Sequence, residues 1–213
     1  TDLFDPLRFP VLRAPGFDDP DCLRTAAALV AAHASSLAAV VVEPLVQGAG
    51  GIRVAPAAEF AQLGAACREH DVLLICDEVA VGFGRTGTLF ASEQCGLLCL
   101  GKGLTAGYLP QSVTVASRSV YDAFLGPDLS ELTLYHGHSY GGNALACAVA
   151  LRHLQLLDER DVLGNVRARA GELRVLLDDR IAPHPTVKVV RQQGLMVGVE
   201  LAPPRAGLRW GRR

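Results

Sequence analysis

The chain has 213 residues, 50% of them hydrophobic and 20% charged, and a formal net charge of -2. That composition supports a substantial core and excludes a disordered chain, while the lack of a basic block or basic-aromatic stripe argues against a nucleic-acid partner. Glu43, Asp77 and Lys102 interrupt or end the longest apolar runs, so none reaches the roughly 20 residues of a membrane helix, and residues 1–10 lack a hydrophobic signal core; a cytoplasmic protein with no membrane partner is expected.

In chain order, residues 1–21 are rich in proline and aspartate and read as irregular. Asp19 or Asp21 can cap a helix to about residue 33, with Leu23, Ala26, Ala27, Val30 and Ala31 at helical spacing. Residues 38–42 read as a buried strand ending at Glu43 and Pro44, followed by a glycine-rich loop over 47–51. Residues 56–70 form an alanine-rich amphipathic helix with Phe60, Leu63 and Cys67 on one face. The apolar run 72–76 then ends in Asp77 and Glu78. Helix, strand, helix, strand implies parallel strands with right-handed crossovers.

A second apolar run, 97–100, ends in Gly101, Lys102 and Gly103, and 112–116 gives a further strand. Ser117 or Ser119 can start a short helix to 124; 126–135 is a loop and 136–143 a glycine-rich turn. Helices follow over 143–157 and 162–179, the latter broken by Pro183 and Pro185. Two strands, 186–190 and 195–201, join at Gln192, Gln193 and Gly194, with one face exposed. The expected division is a large domain over 1–158 and the beginning of a small one over 159–213.

The runs 72–76 and 97–100 suit strands buried on both faces of a parallel sheet. Their charged ends then lie at carboxyl-terminal strand edges, where open α/β sheets bind ligands. A carboxylate and an amine in one crevice suit pyridoxal phosphate, which needs a lysine and an acid facing its pyridine nitrogen.

Three other motifs are weaker. Residues 82–87 spell G-x-G-x-x-G but follow two acids and open no clear helix, and 96–102 spell G-x-x-x-x-G-K through strand-like residues with Gly103 where a hydroxyl belongs. His136 and His138 have no carboxylate or cysteine at ligand spacing. The six cysteines include no C-x-x-C pair and read as buried, reduced thiols.

The segment 43–48, the string 73–87, the segment 101–107 and the segment 136–146, in that order, resemble the signature of the class III (subgroup II) pyridoxal-phosphate aminotransferases. The resemblance implies the fold-type I α/β architecture: a mostly parallel sheet flanked by helices, with a small α+β C-terminal domain. It implies pyridoxal 5'-phosphate bound through Lys102, with Asp77 at the pyridine nitrogen and Val79 on one face of the ring. His138 and Ser139 would meet the cofactor phosphate, in the neighbouring subunit of a homodimer, with Gly137 near substrate. The family usually has threonine where Ser139 stands, and the hydroxyl is retained. Ala49 and Ala80 favour the branch acting in biotin synthesis, in which S-adenosylmethionine donates an amino group to 8-amino-7-oxononanoate.

Family members are about twice this length. The glycine-serine phosphate cup, the second ring-stacking aromatic and the substrate-carboxylate arginine have no counterpart here, and a short segment with Pro-Asp is missing between Gly96 and Leu97. That shortening threatens the register of Lys102, since a misplacement of about 1 Å is costly in catalysis. Two alternatives therefore stand: a catalytically incompetent fragment or degenerate homologue, or an ω-amino-acid aminotransferase of the same class. The isolated chain is expected to turn over weakly or not at all.

Overall fold

The computed structural model describes residues 9–92, 95–127 and 130–202. Residues 1–8 of the irregular start expected over 1–21, and residues 203–213 of the small domain expected over 159–213, lie outside the described residues.

Helix α1 (Cys22–His33) and helix α2 (Ala57–Glu69) flank strand β1 (Ala39–Val42) in sequence, and strand β4 (Leu73–Asp77) follows α2. Between β1 and α2 the glycine-rich loop closes a small antiparallel ribbon, β2 (Val46–Gln47) with β3 (Arg53–Val54). β1 pairs in parallel with β4, and β4 in parallel with β5 (Leu97–Leu100). Cys22, Leu23 and Val30 of α1 pack with Phe60, Leu63 and Cys67 of α2 on Leu74 and Cys76 of β4. Each large apolar side chain removed from water there contributes about 1.5–3 kcal/mol.

The expected cap is only positional. Asp21 stands before α1 but its carboxyl makes no capping bond; it pairs instead with Arg24. At three other helices the cap is built, one of them by Asp161, which accepts from Gly164 N at the helix beginning at Val162. Ser117 accepts from Val120 N at α3 (Arg118–Asp122), and Asn143 from Leu145 N and Ala146 N at α4 (Ala144–Glu159).

One expectation about the sheet is corrected, and one strand direction is new. β1 and β4 are not buried on both faces: Val41 is 69% exposed, and β4 alternates between buried Leu74 and Cys76 and the more open Leu73 and Ile75. α1 and α2 cover one face only, and the other keeps a period-two pattern. The fourth strand, β6 (Val113–Ala116), runs antiparallel to β5. A parallel return needs a crossover of about a dozen residues or more, usually through a helix. Residues 101–112 hold one short 3-10 turn, Lys102–Thr105, and no helix, so the chain doubles back.

α4 packs along the Lys102–Thr105 turn, where Phe83, Leu100, Leu104 and Ala150 form a second apolar cluster. Helix α5 (Val162–Leu176) ends in one wide turn, Leu177–Ile181, ahead of Pro183. The two expected strands are present as β7 (Val187–Gln193) and β8 (Met196–Leu201), which pair antiparallel with Gln192 and Gln193 inside β7 rather than in the connection. This hairpin sits on the rest of the chain. Met196 packs with Val46 and Val81, Arg191 donates to the carbonyls of Gly51 and Ile52, and Leu195 N–H donates to Arg85 O.

Candidate active site

Asp77 is the last residue of β4, and its strand register pairs it with Cys99 of β5, three residues before Lys102. The acid and the amine thus leave neighbouring parallel strands at the same end. The Asp77 carboxylate accepts Val79 N–H at 3.1 Å in a tight local turn. Among the described residues it forms no ion pair, with Arg85 or any other cation.

Val79 stands against the lysine turn: a β-carbon added at Gly101 would lie 3.3 Å from Val79 Cγ1. Lys102 has φ of 39° and Ala106 φ of 51°, so both ends of the turn lie in the left-handed region. Such backbone persists only where surroundings hold it. Gly103 rests on the Phe83 ring, with 3.0 Å from an added β-carbon to Cδ2, so a side chain there would have to push the ring aside. Thr105 Oγ1 donates to Leu109 O at 2.5 Å.

Exposed Lys102 lines a cleft of about 470 Å³ with Phe83, Arg85, His153, Val166 and Leu195. Glycines 82, 84, 103 and 107 keep its walls low. Asp77 and Val79 are not among its lining residues. Gly137, His138 and Ser139 lie in an exposed stretch that contributes nothing to the cleft either. His138 Nδ1 accepts Tyr140 N–H at 3.1 Å within that stretch. The structure therefore brings Asp77, Val79 and Lys102 to one sheet edge and leaves the three loop residues apart from them.

Four participants were not picked out from sequence. Glu78 is fully buried. Its carboxylate accepts Ala91 N–H at 2.8 Å, Ser92 N–H at 2.8 Å and the Ser92 hydroxyl at 2.5 Å, pinning the far end of the loop that leaves β4. Phe83 and His153 floor the cleft, with ring centroids 5.9 Å apart, and Leu195 reaches it from the hairpin. A signal existed for His153. It falls on the helix face marked by Ala146, Ala150 and Leu157, a polar residue in an apolar stripe.

The cysteines behave as expected of buried thiols: burial pushes Cys76 up to about 12 and raises Cys22, Cys67 and Cys95. A thiol so raised is a poor nucleophile at neutral pH. All six are free, with three buried and three half-buried. No helix among the described residues is long and apolar enough to cross a membrane.

Residues 10–207 match the family model for aminotransferase class-III. The chain is 44% identical to adenosylmethionine-8-amino-7-oxononanoate aminotransferase of Nitratidesulfovibrio vulgaris, across 95% of this chain and 40% of that protein. It is 41% identical to the protein of the same name from Geobacter sulfurreducens, across 96% of this chain and 49% of that one. The chain thus spans about half the length of the curated relatives it matches. Among solved structures, adenosylmethionine-8-amino-7-oxononanoate aminotransferase from Methanocaldococcus jannaschii superposes with a TM-score of 0.89 at 36% identity, covering 94% of this chain and 47% of that one. A pyridoxal-phosphate-bound amine transaminase from an uncultivated Pseudomonas species gives 0.79 at 35% identity, covering 88% and 44%.

Proposed function

The chain belongs to the class III aminotransferases, which are pyridoxal-phosphate-dependent transaminases, and from that premise we propose that it carries the cofactor-binding strand tips of an enzyme moving an amino group from S-adenosylmethionine to 8-amino-7-oxononanoate. The observation that carries this reading is the exit of Asp77 and Lys102 from adjacent parallel strands at one sheet edge. The residues present fit pyridoxal phosphate by their chemistry: an exposed amine and, at the end of the neighbouring strand, a carboxylate free of any cation among the described residues. When bound, that group supplies a sink for the electrons released as the substrate α-proton leaves.

Lys102 is assigned as the amine that links to the cofactor and afterwards moves the α-proton as a base. Asp77 is assigned to hold a proton on the ring nitrogen, because an adjacent anion favours the charged form of a base. Val79 is assigned to one ring face, His138 and Ser139 to the phosphate across a homodimer, and Gly137 to the substrate. A large domain over 1–158 and the start of a small one over 159–213 complete the proposal.

Incubation with pyridoxal phosphate, borohydride reduction and peptide mapping test it directly. A pyridoxyl adduct is expected on Lys102, and lower occupancy in Asp77→Ala; an unlabelled Lys102 rejects the assignment. For the substrate, formation of 7,8-diaminononanoate from S-adenosylmethionine is the expected product. Transfer from ω-amino acids alone would move the protein to that other branch.

A further inference from the structure

We propose that His153 is a positioning residue for Lys102, fixing the lysine turn so that the amine presents to the cleft; this rests on the assignment of Lys102 above. His153 Nδ1 lies 3.2 Å from Leu104 O. A carbonyl oxygen only accepts, so this bond places the imidazole proton on Nδ1. Leu104 is in the middle of the turn, whose own bonds run from Leu104 N to Gly101 O and from Ala106 N to Gly103 O. They leave the Leu104 carbonyl to the histidine.

The turn needs such a fastening. Its first residue, Lys102, and the residue that closes it, Ala106, are non-glycine residues with positive φ, a conformation relaxing readily unless several contacts oppose it. His153 supplies one contact and joins a second, because its ring also lies tilted at 56° against Phe83, the ring on which Gly103 rests. A bond from helix α4 and an aromatic seat from the loop after β4 thus meet under one turn. Both lie in the same cleft as the amine they orient.

The sequence provides an internal reference, since Lys102 and Lys188 are its only lysines. Lys188 sits on β7, paired with Glu200, outside the cleft. The test is the ratio of pyridoxyl on Lys102 to that on Lys188 after brief exposure to pyridoxal phosphate and borohydride trapping. It is measured for the wild type, His153→Leu, which removes the donor, and His153→Asn, whose amide nitrogen takes the place of Nδ1. The ratio should fall about tenfold in His153→Leu, as expected for a displaced reactive group, and recover in His153→Asn. A merely structural role would lower the melting temperature without changing the ratio.

An unchanged ratio in a folded His153→Leu overturns the proposal. If that variant loses its helical circular dichroism, His153→Gln replaces it, with its amide one bond further out. A ratio below that of His153→Asn is then expected, and equality with the wild type is again fatal. Failure of the underlying assignment is distinct: wild-type Lys102 would then label no faster than Lys188.

Discussion

Glu78 follows Asp77 directly, yet the two carboxylates face opposite circumstances. Asp77 is left with one local hydrogen bond, whereas Glu78 is buried and fully engaged by Ala91 and Ser92. Both oxygens of Glu78 accept backbone N–H groups, so Glu78→Gln must turn an amide N–H2 against one of those donors. The expected loss is roughly 1–3 kcal/mol, read as a lower urea midpoint, and Ser92→Ala should cost less because the Ser92 N–H bond survives.

Glu200 gives a pH dependence at the same scale. Hydrogen bonds from Lys188 and then Arg191 hold its carboxyl down to about 2, from an ordinary 4.5. A folded-state value below the unfolded one contributes stability that is present above the ordinary value and lost as pH falls toward the depressed one. The melting temperature of the wild type should therefore decline between pH about 4.5 and about 2, and Glu200→Gln should flatten that part of the decline. Lys188 is exposed and Glu200 partly so, and added salt should therefore reduce the difference.

Among the elements, the β7–β8 hairpin depends on one glycine. Gly194 has φ of 59°, and a β-carbon there would stand 2.5 Å from Arg85 O and Thr86 C. Gly194→Ala therefore adds a backbone collision to the roughly 1–2 kcal/mol of a left-handed alanine. It should lower stability by more than that penalty and speed proteolysis at the 85–87 turn. Gln193, which donates to Thr86 O at 3.0 Å, should be a milder site, since its loss removes one bond and introduces no clash.

The elements also show what sequence can carry. The strand tips were readable because apolar runs ended abruptly in charge, at Asp77 and at Gly101–Lys102, and the α2 stripe of Phe60, Leu63 and Cys67 was readable by its period. The direction of β6 was not. Composition marks Val113–Ala116 as a strand, but only the short, helix-free connection behind it dictates which way it runs. The β2–β3 ribbon pairs two residues from each strand, too few for alternation to register. The cleft escaped notice for another reason: Phe83, His153 and Leu195 are far apart along the chain, and each alone reads as ordinary core. Of the assigned residues, Asp77, Val79 and Lys102 share a sheet edge, while the placement of Gly137, His138 and Ser139 in an exposed stretch could not be read from their motif.

At the scale of the molecule, α1 and α2 cover one face of the sheet, and α4 carries that layer on over the lysine turn. On the other face Val41 and Leu73 meet solvent, while at the edge β6 exposes Val113 and Val115, which its register places on the helix-covered side. Exposed apolar area of this kind marks a surface prone to association.

The seating of the β7–β8 hairpin on the turn at Arg85 has a thermodynamic corollary. Leu195 belongs to the hairpin and to the cleft at once, so the cleft keeps its shape only while the hairpin is docked. A molecule that fills the cleft and favours the docked state must, by linkage, retain the hairpin in proportion to its own affinity. Occupancy of the cleft should therefore slow deuterium uptake by the amides of Val197 and Val199. Those protons would report from the C-terminal strand on an event at the tip of β5.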